Sequence, residues 1–163
     1  MFRLLVTDSI WSVAEYISAT NELLARYARS PVRTVPNSTV VTEFWKSGDM
    51  NSLPYQRGFL PATIWDERLQ EQSSGRLCLD SVLLDMCRAV RARPDSPLPL
   101  ASDALIATMK RYGVDPTLDI ERHVVRGEPI VLPSVLTGVP ARVETTGGSA
   151  GSAGVQRLVK REE

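Results

Sequence analysis

Between Leu53 and Gln72 the apolar side chains Tyr55, Phe59, Ala62, Trp65 and Leu69 recur at spacings of four, three, three and four. That rhythm is the pitch of an α-helix and lays one apolar stripe along it, which Leu60 and Ile64 widen. The polar run from Ser47 to Ser52 predicts a turn-like approach. Pro54 then suits the first turn, where its missing N–H costs nothing. Pro61 falls inside and predicts a kink, and Gly58 allows a neighbouring backbone to come close. A rod of this length must find other elements to cover its stripe, and the rest of the chain supplies short ones.

Upstream, Thr7 or Asp8 caps an expected helix that runs to about Arg29 through Ile10, Val13, Ala14, Ile17, Leu24 and Tyr27, stopped by Ser30-Pro31. Arg26 and Arg29 suit the negative end of its dipole. Ser38 to Lys46 fits either a short helix capped by Asn37 or Ser38, or a strand, because Thr39-Val40-Val41-Thr42 is β-branched. Ser73-Ser74-Gly75 closes the long helix. Further helices are expected from Leu79-Asp80-Ser81 to Arg91 or Arg93, from Asp103 to Tyr112 behind a Ser102 cap, and from Asp115-Pro116 to Val125 before Gly127. Beyond that, Pro129, Pro133 and Pro140 forbid long elements. The glycine-serine-alanine run from Gly147 to Gly154 reads as a flexible linker. The expected fold is all-α: an irregular bundle of five or six helices over residues 1–140 with a proline-rich C-terminal extension, then a flexible linker and tail at 141–163.

At 163 residues the chain is long enough for one real core. Lys plus Arg equals Asp plus Glu, 19 each, so no net charge draws it to nucleic acid or an anionic membrane. No apolar run reaches bilayer length, and the N-terminus lacks a secretory signal. The chain reads as soluble, without specifying a compartment. Cys78 and Cys87 show no CxxC pattern and read as two reduced, buried thiols. Trp11, Trp45 and Trp65 read as core anchors.

The order of local signals carries a resemblance. Pro54-Tyr55-Gln56-Arg57-Gly58 resembles the tyrosine motif of gluzincin-type zinc aminopeptidases. Ser74-Gly75-Arg76-Leu77-Cys78-Leu79-Asp80-Ser81 is similar to the glycine turn and Ser-Leu-Asp helix start of the glycyl aminopeptidase family. Tyr112-Gly113 and His123-Val124-Val125-Arg126-Gly127-Glu128-Pro129-Ile130-Val131-Leu132-Pro133 resemble the end of that family's helical region. Thr42-Glu43-Phe44-Trp45-Lys46 resembles its tryptophan segment. The likeness spans about Asp8 to Gly138.

The resemblance implies that Tyr55 donates a hydrogen bond to the oxygen that becomes negative during peptide hydrolysis, beside a zinc ion held by two histidines and a glutamate. The chain departs from the family in having no H-E-x-x-H and one histidine, His123, so the zinc site cannot be built from it alone. Cys78 stands where a serine cap is expected, which moves the helix start to Asp80 or Ser81. The implied function is the helical C-terminal portion of such a peptidase, supplying Tyr55 and a wall of the substrate cleft, inactive by itself. Its partners would be a zinc-binding peptidase subdomain and a peptide substrate. The alternative is a non-catalytic helical interaction module, able to pair with a second copy. From the residues alone, Tyr55 also fits a core aromatic, Gln56 and Arg57 a solvated face, Asp66 a cap or an arginine's partner, and His123 a structural group at a helix end.

Overall fold

The structure, a computed structural model, describes residues 10–92, 99–147 and 154–161. The first helix, α1, is Val13–Arg29. Its cap is Ser12, whose hydroxyl accepts from Glu15 N–H (3.2 Å) while the Glu15 carboxylate accepts from Ser12 N–H (2.7 Å). This capping box pre-empts Thr7 and Asp8, which lie outside the described residues. The C-terminus falls where expected, with Arg26 and Arg29 in the last turn and Ser30 as C-cap.

Asn37–Glu43 forms α2, so the β-branched run is helical after all, with Val40 buried. The long helix, α3, is Gly48–Ser73. It starts earlier than its apolar stripe predicts because Ser47 caps it, accepting from Met50 N–H at 3.2 Å. Pro54 is therefore inside the helix rather than in its first turn. The predicted stripe holds at Leu60, Trp65 and Leu69, which are buried, and at Phe59 and Ile64, which pack against the core, but Tyr55 faces out, and the buried face also takes in Met50, Leu53, Gln56, Arg57, Pro61, Glu67, Gln70 and Ser73.

Ser74 and Gly75, both at positive φ (54° and 80°), turn the chain into α4, Leu79–Arg91. Cys78 is its N-cap residue. The helix starts at Leu79, ahead of the expected Asp80, because Asp66 of α3 supplies the missing acceptor: its Oδ1 takes the Leu79 N–H at 2.7 Å. Both cysteines are free, and Cys87 is exposed rather than buried. Next comes α5, Ala101–Arg111, entered from Leu100 with no side-chain cap, so Ser102 lies within it. Asp115 then accepts from Thr117 N–H (2.9 Å) to open α6, Thr117–Asp119. This helix widens into a π-helical stretch, Ile120–Val125, in which bonds reach five residues back, as from Arg126 N–H to Glu121 O at 3.0 Å.

The chain is mostly helical but not all-α. Strands β1 (Val135–Leu136), β2 (Ala141–Thr146) and β3 (Val155–Lys160) form an antiparallel sheet in that order. Val143 pairs with Leu158, and Leu136 with Ala141. Much of the segment expected to be linker and tail is thus ordered strand, while residues 148–153, the heart of the glycine-serine-alanine run, lie outside the described residues. The sheet is held because β3 packs on α1. Asn21 acts there as a surrogate strand neighbour: its Nδ2 donates to Leu158 O (2.9 Å) and its Oδ1 accepts from Leu158 N–H (2.6 Å). That satisfies part of an otherwise unpaired edge.

Helix α3 runs through two apolar clusters. Its first half, with Met50, Leu53 and Leu60, packs with Tyr16, Leu24 and Tyr27 of α1, Val40 of α2 and the strand residues Leu136, Val143 and Leu158. Its second half, with Trp65 and Leu69, packs with Val82, Met109 and Val114. Trp65 is the core anchor expected, whereas Trp45 is 88% exposed. Asp119 locks the last helix to α3: it accepts from Trp65 Nε1 (2.9 Å) and from Arg68 Nη1 (2.5 Å). We expect Asp119→Ala to destabilise the chain by about 2–3 kcal/mol, since it strands a buried indole N–H and removes the partner of a charged donor. Urea titration of both proteins measures this. A loss within experimental error would mean that Arg68 and Trp65 find other partners.

Candidate functional site

Tyr55 lies two turns into α3, on the side away from the core, and is 72% exposed. It is not the core aromatic that its apolar character allows. With Asn51, Ser52 and Gln56 of the same helix and Leu23 and Arg26 of α1, it lines a shallow hollow of about 220 Å³. The exposed phenol shares this hollow with Arg26, which pairs with Glu22 of its own helix (3.6 Å). The hollow offers one hydroxyl donor on a rigid ring, with neither a nucleophile–base pair nor a carboxylate pair beside it.

Arg57, two residues on and about 200° round the helix, goes the other way. It is 3% exposed and not the solvated residue that its charge predicts. Its Nη2 donates to Arg33 O (3.2 Å) and Val35 O (2.5 Å), pinning the connector between α1 and α2. Nε and Nη1 have no partner among the described residues. Desolvation pulls this guanidinium below its ordinary pKa. Nearby, Tyr27 accepts from Ile130 N–H (3.1 Å), and burial pushes its phenol above the usual value despite that bond and the Arg57 charge.

Arg57 also lines a groove of about 350 Å³ whose walls include Val40, Pro54, Gly58, Ala62, Trp65 and Leu83. Gly58 serves this opening rather than a close helix contact: a Cβ built on it meets nothing within 4 Å. Nothing in the apolar pattern distinguishes Arg57 from a surface arginine. Only its tertiary neighbours reveal it.

A third depression, of about 370 Å³, gathers Glu67, Arg68, Glu71, Asp119, Arg122 and His123. Most of these groups already have structural partners. Glu67 accepts from Thr137 N–H, Asp119 holds Trp65 and Arg68, Arg122 pairs with Glu128 (2.6 Å), and His123 Nδ1 faces Glu128 O (3.1 Å). Asp66 caps α4 and accepts from Gln70 (2.8 Å).

Among the described residues no group of three or more His, Cys, Asp or Glu side chains is placed to hold a metal ion. The donors present do not fit the zinc that the resemblance implies, so no chemical step is derived through that ion. Among the described residues, too, no helix is long and apolar enough to cross a membrane. No protein-family model matches this chain, and no curated protein matches its sequence.

Proposed function

We propose that this chain is the tyrosine-bearing helical part of a zinc-aminopeptidase-like site, in which Tyr55 donates its phenolic O–H to a peptide carbonyl oxygen and α3 forms one wall of the cleft. The observation that carries this reading is the exposure of the Tyr55 ring over the hollow with Leu23 and Arg26. A phenol meant to reach a substrate must be accessible, and one that merely fills a core is not. The metal ligands and the general base belong to another segment. The test joins this chain to a candidate segment carrying H-E-x-x-H, by co-expression, and measures zinc content and aminopeptidase activity. Activity that needs both pieces supports the reading. A zinc segment fully active without this chain rules it out.

A second reading, a helical interaction module, is favoured by exposed apolar side chains on α2 and in the turn that follows it. Val41 is 72% exposed and Trp45 88%, with the Phe44 ring edge-on to Trp45 at 4.8 Å. Isolated apolar side chains are ordinary on a surface, but a neighbouring pair of this size suits a partner. Under this reading a second copy is the simplest occupant. Light scattering should then report a dimer that Trp45→Ser returns to monomer. A monomer at all concentrations argues against self-association.

A further inference from the structure

We propose that the solvent face of α4 is a self-complementary docking surface on which a second copy of this chain lies antiparallel. The inference does not rest on the peptidase reading, and it uses a different face from Val41 and Trp45. An amphipathic helix normally turns its apolar stripe into its own core. In α4, Val82 does so and is 0% exposed. On the outer side Leu84 is 56% exposed, flanked by Leu83 (45%) and Val90 (46%), and Cys87 and Arg91 are exposed as well.

The charge pattern identifies the occupant. Asp80, Leu84, Cys87 and Arg91 are spaced four, three and four. At about 100° per residue they fall within about 60° of one another round the helix. The spacing reads the same from either end, while the charge changes sign. A two-fold axis at the height of Asp85 and Met86 therefore sets Asp80 against Arg91 of the second copy and Leu84 against its Cys87, and repeats both contacts in reverse. A parallel arrangement would set Asp80 against Asp80 and Arg91 against Arg91, which repel. Neither Asp80 nor Arg91 forms an ion pair among the described residues, whereas Asp85 is held by Tyr112 (2.7 Å), Arg88 and Arg111.

Burial of Leu83, Leu84 and Val90 supplies the affinity, and the two ion pairs at the rim select the orientation. A single helix against its copy buries less than the roughly 1,200–2,000 Å² of a standard interface, so the expected Kd is micromolar. The α2 face provides the contrast. There Glu43 and Lys46 already pair with each other (2.8 Å), so its charges do not fix how a partner lies.

The test is analytical ultracentrifugation of the intact chain over about 1–300 μM, the range that brackets a micromolar dimer. The unsubstituted chain should dimerise. Leu84→Asp puts a charge in the middle of the contact and should leave only monomer. Arg91→Glu and Asp80→Arg each set like charges together twice, and each should weaken dimerisation by at least about tenfold. Mixed one to one, these two variants should associate again, because every opposed pair then has opposite signs. That recovery also shows that both variants are folded. Trp45→Ser should leave this dimer intact. A monomer at every concentration would overturn the proposal. So would a dimer that withstands Leu84→Asp, or a mixture that associates no more tightly than either variant alone. A dimer lost with Trp45→Ser but kept with Arg91→Glu would also overturn it, and would place the contact at the α2 face.

Discussion

Gly127→Ala is expected to destabilise the fold by about 3 kcal/mol, the sum of a left-handed backbone penalty of about 1 kcal/mol and an overpacking cost of about 2 kcal/mol. Gly127 has φ 76°, in the region L-residues avoid. A methyl group there would stand less than 3.0 Å from Thr34 O, Val35 O and Arg57 Nη2. Two of these atoms are backbone, and the third is held by Arg33 O and Val35 O. None can move without dragging the connector between α1 and α2 or pulling Arg57 off its two carbonyl partners. In a chain of this size the midpoint of thermal unfolding should fall by about 6–12 °C. Gly147→Ala is the internal control, because Gly147 also has positive φ (65°) but open space around it. It should cost only the backbone part. Equal losses at both positions would show that the Gly127 turn does not press on Arg57 and the connector.

That prediction rests on a contact no sequence pattern announces, and the same is true of much of α3. Periodicity placed the helix and most of its inward residues, but reading by hydrophobicity it chose Tyr55 as inward and passed over the buried polar groups. The helix is central, in contact with α1, α2, α4 and the π-helical stretch, so it buries polar groups as well. Gln56, Arg57, Glu67 and Gln70 are all less than 8% exposed. The charged pair among them is tolerated because each member bonds backbone: Arg57 to Arg33 and Val35, Glu67 to Thr137. Such bonds join residues far apart in the chain, and a one-dimensional pattern does not contain them.

Local chemistry was more legible. Helix ends at Arg29, Ser73 and Val125 follow from Ser30-Pro31, where the proline forces Ser30 out of the helical region, and from Gly75 and Gly127, which take positive φ. The start of α1 was legible too, in the Ser12-Val13-Ala14-Glu15 box, but a polar pair upstream looked equally able to cap. The strands were harder. Ala141–Thr146 alternates buried and exposed at its start, with Ala141 and Val143 inward, which is a strand signature. It is short, sits between Pro140 and Gly147, and becomes a strand only because Leu158 returns to pair with Val143 and meets Asn21. For the candidate site, the sequence singled out Tyr55 by resemblance, while its accessibility follows from its place on the solvent side of α3.

Tyr55→Phe is the substitution with the largest expected effect on function. In the assembled enzyme that the resemblance implies, kcat/KM should fall about 10²–10³-fold, the usual loss when one donor to a developing oxyanion is removed. The change deletes a single hydroxyl from a ring that is 72% exposed, so stability should move by no more than about 0.5 kcal/mol. Catalysis and folding are thereby separated at one atom. The loss should appear mainly in kcat, because an interaction that strengthens as charge develops is absent from the ground state. Zinc content should not change, since in that assembled enzyme the metal ligands would lie on another segment. The measurement is steady-state kinetics on the co-expressed pieces, with metal analysis and melting curves on the same preparations. Activity equal to that of the unsubstituted protein would remove the phenol from the mechanism. The interaction-module reading would then be the one left for the exposed ring, and Tyr55→Ala, which removes the ring as well, would be the substitution expected to weaken assembly.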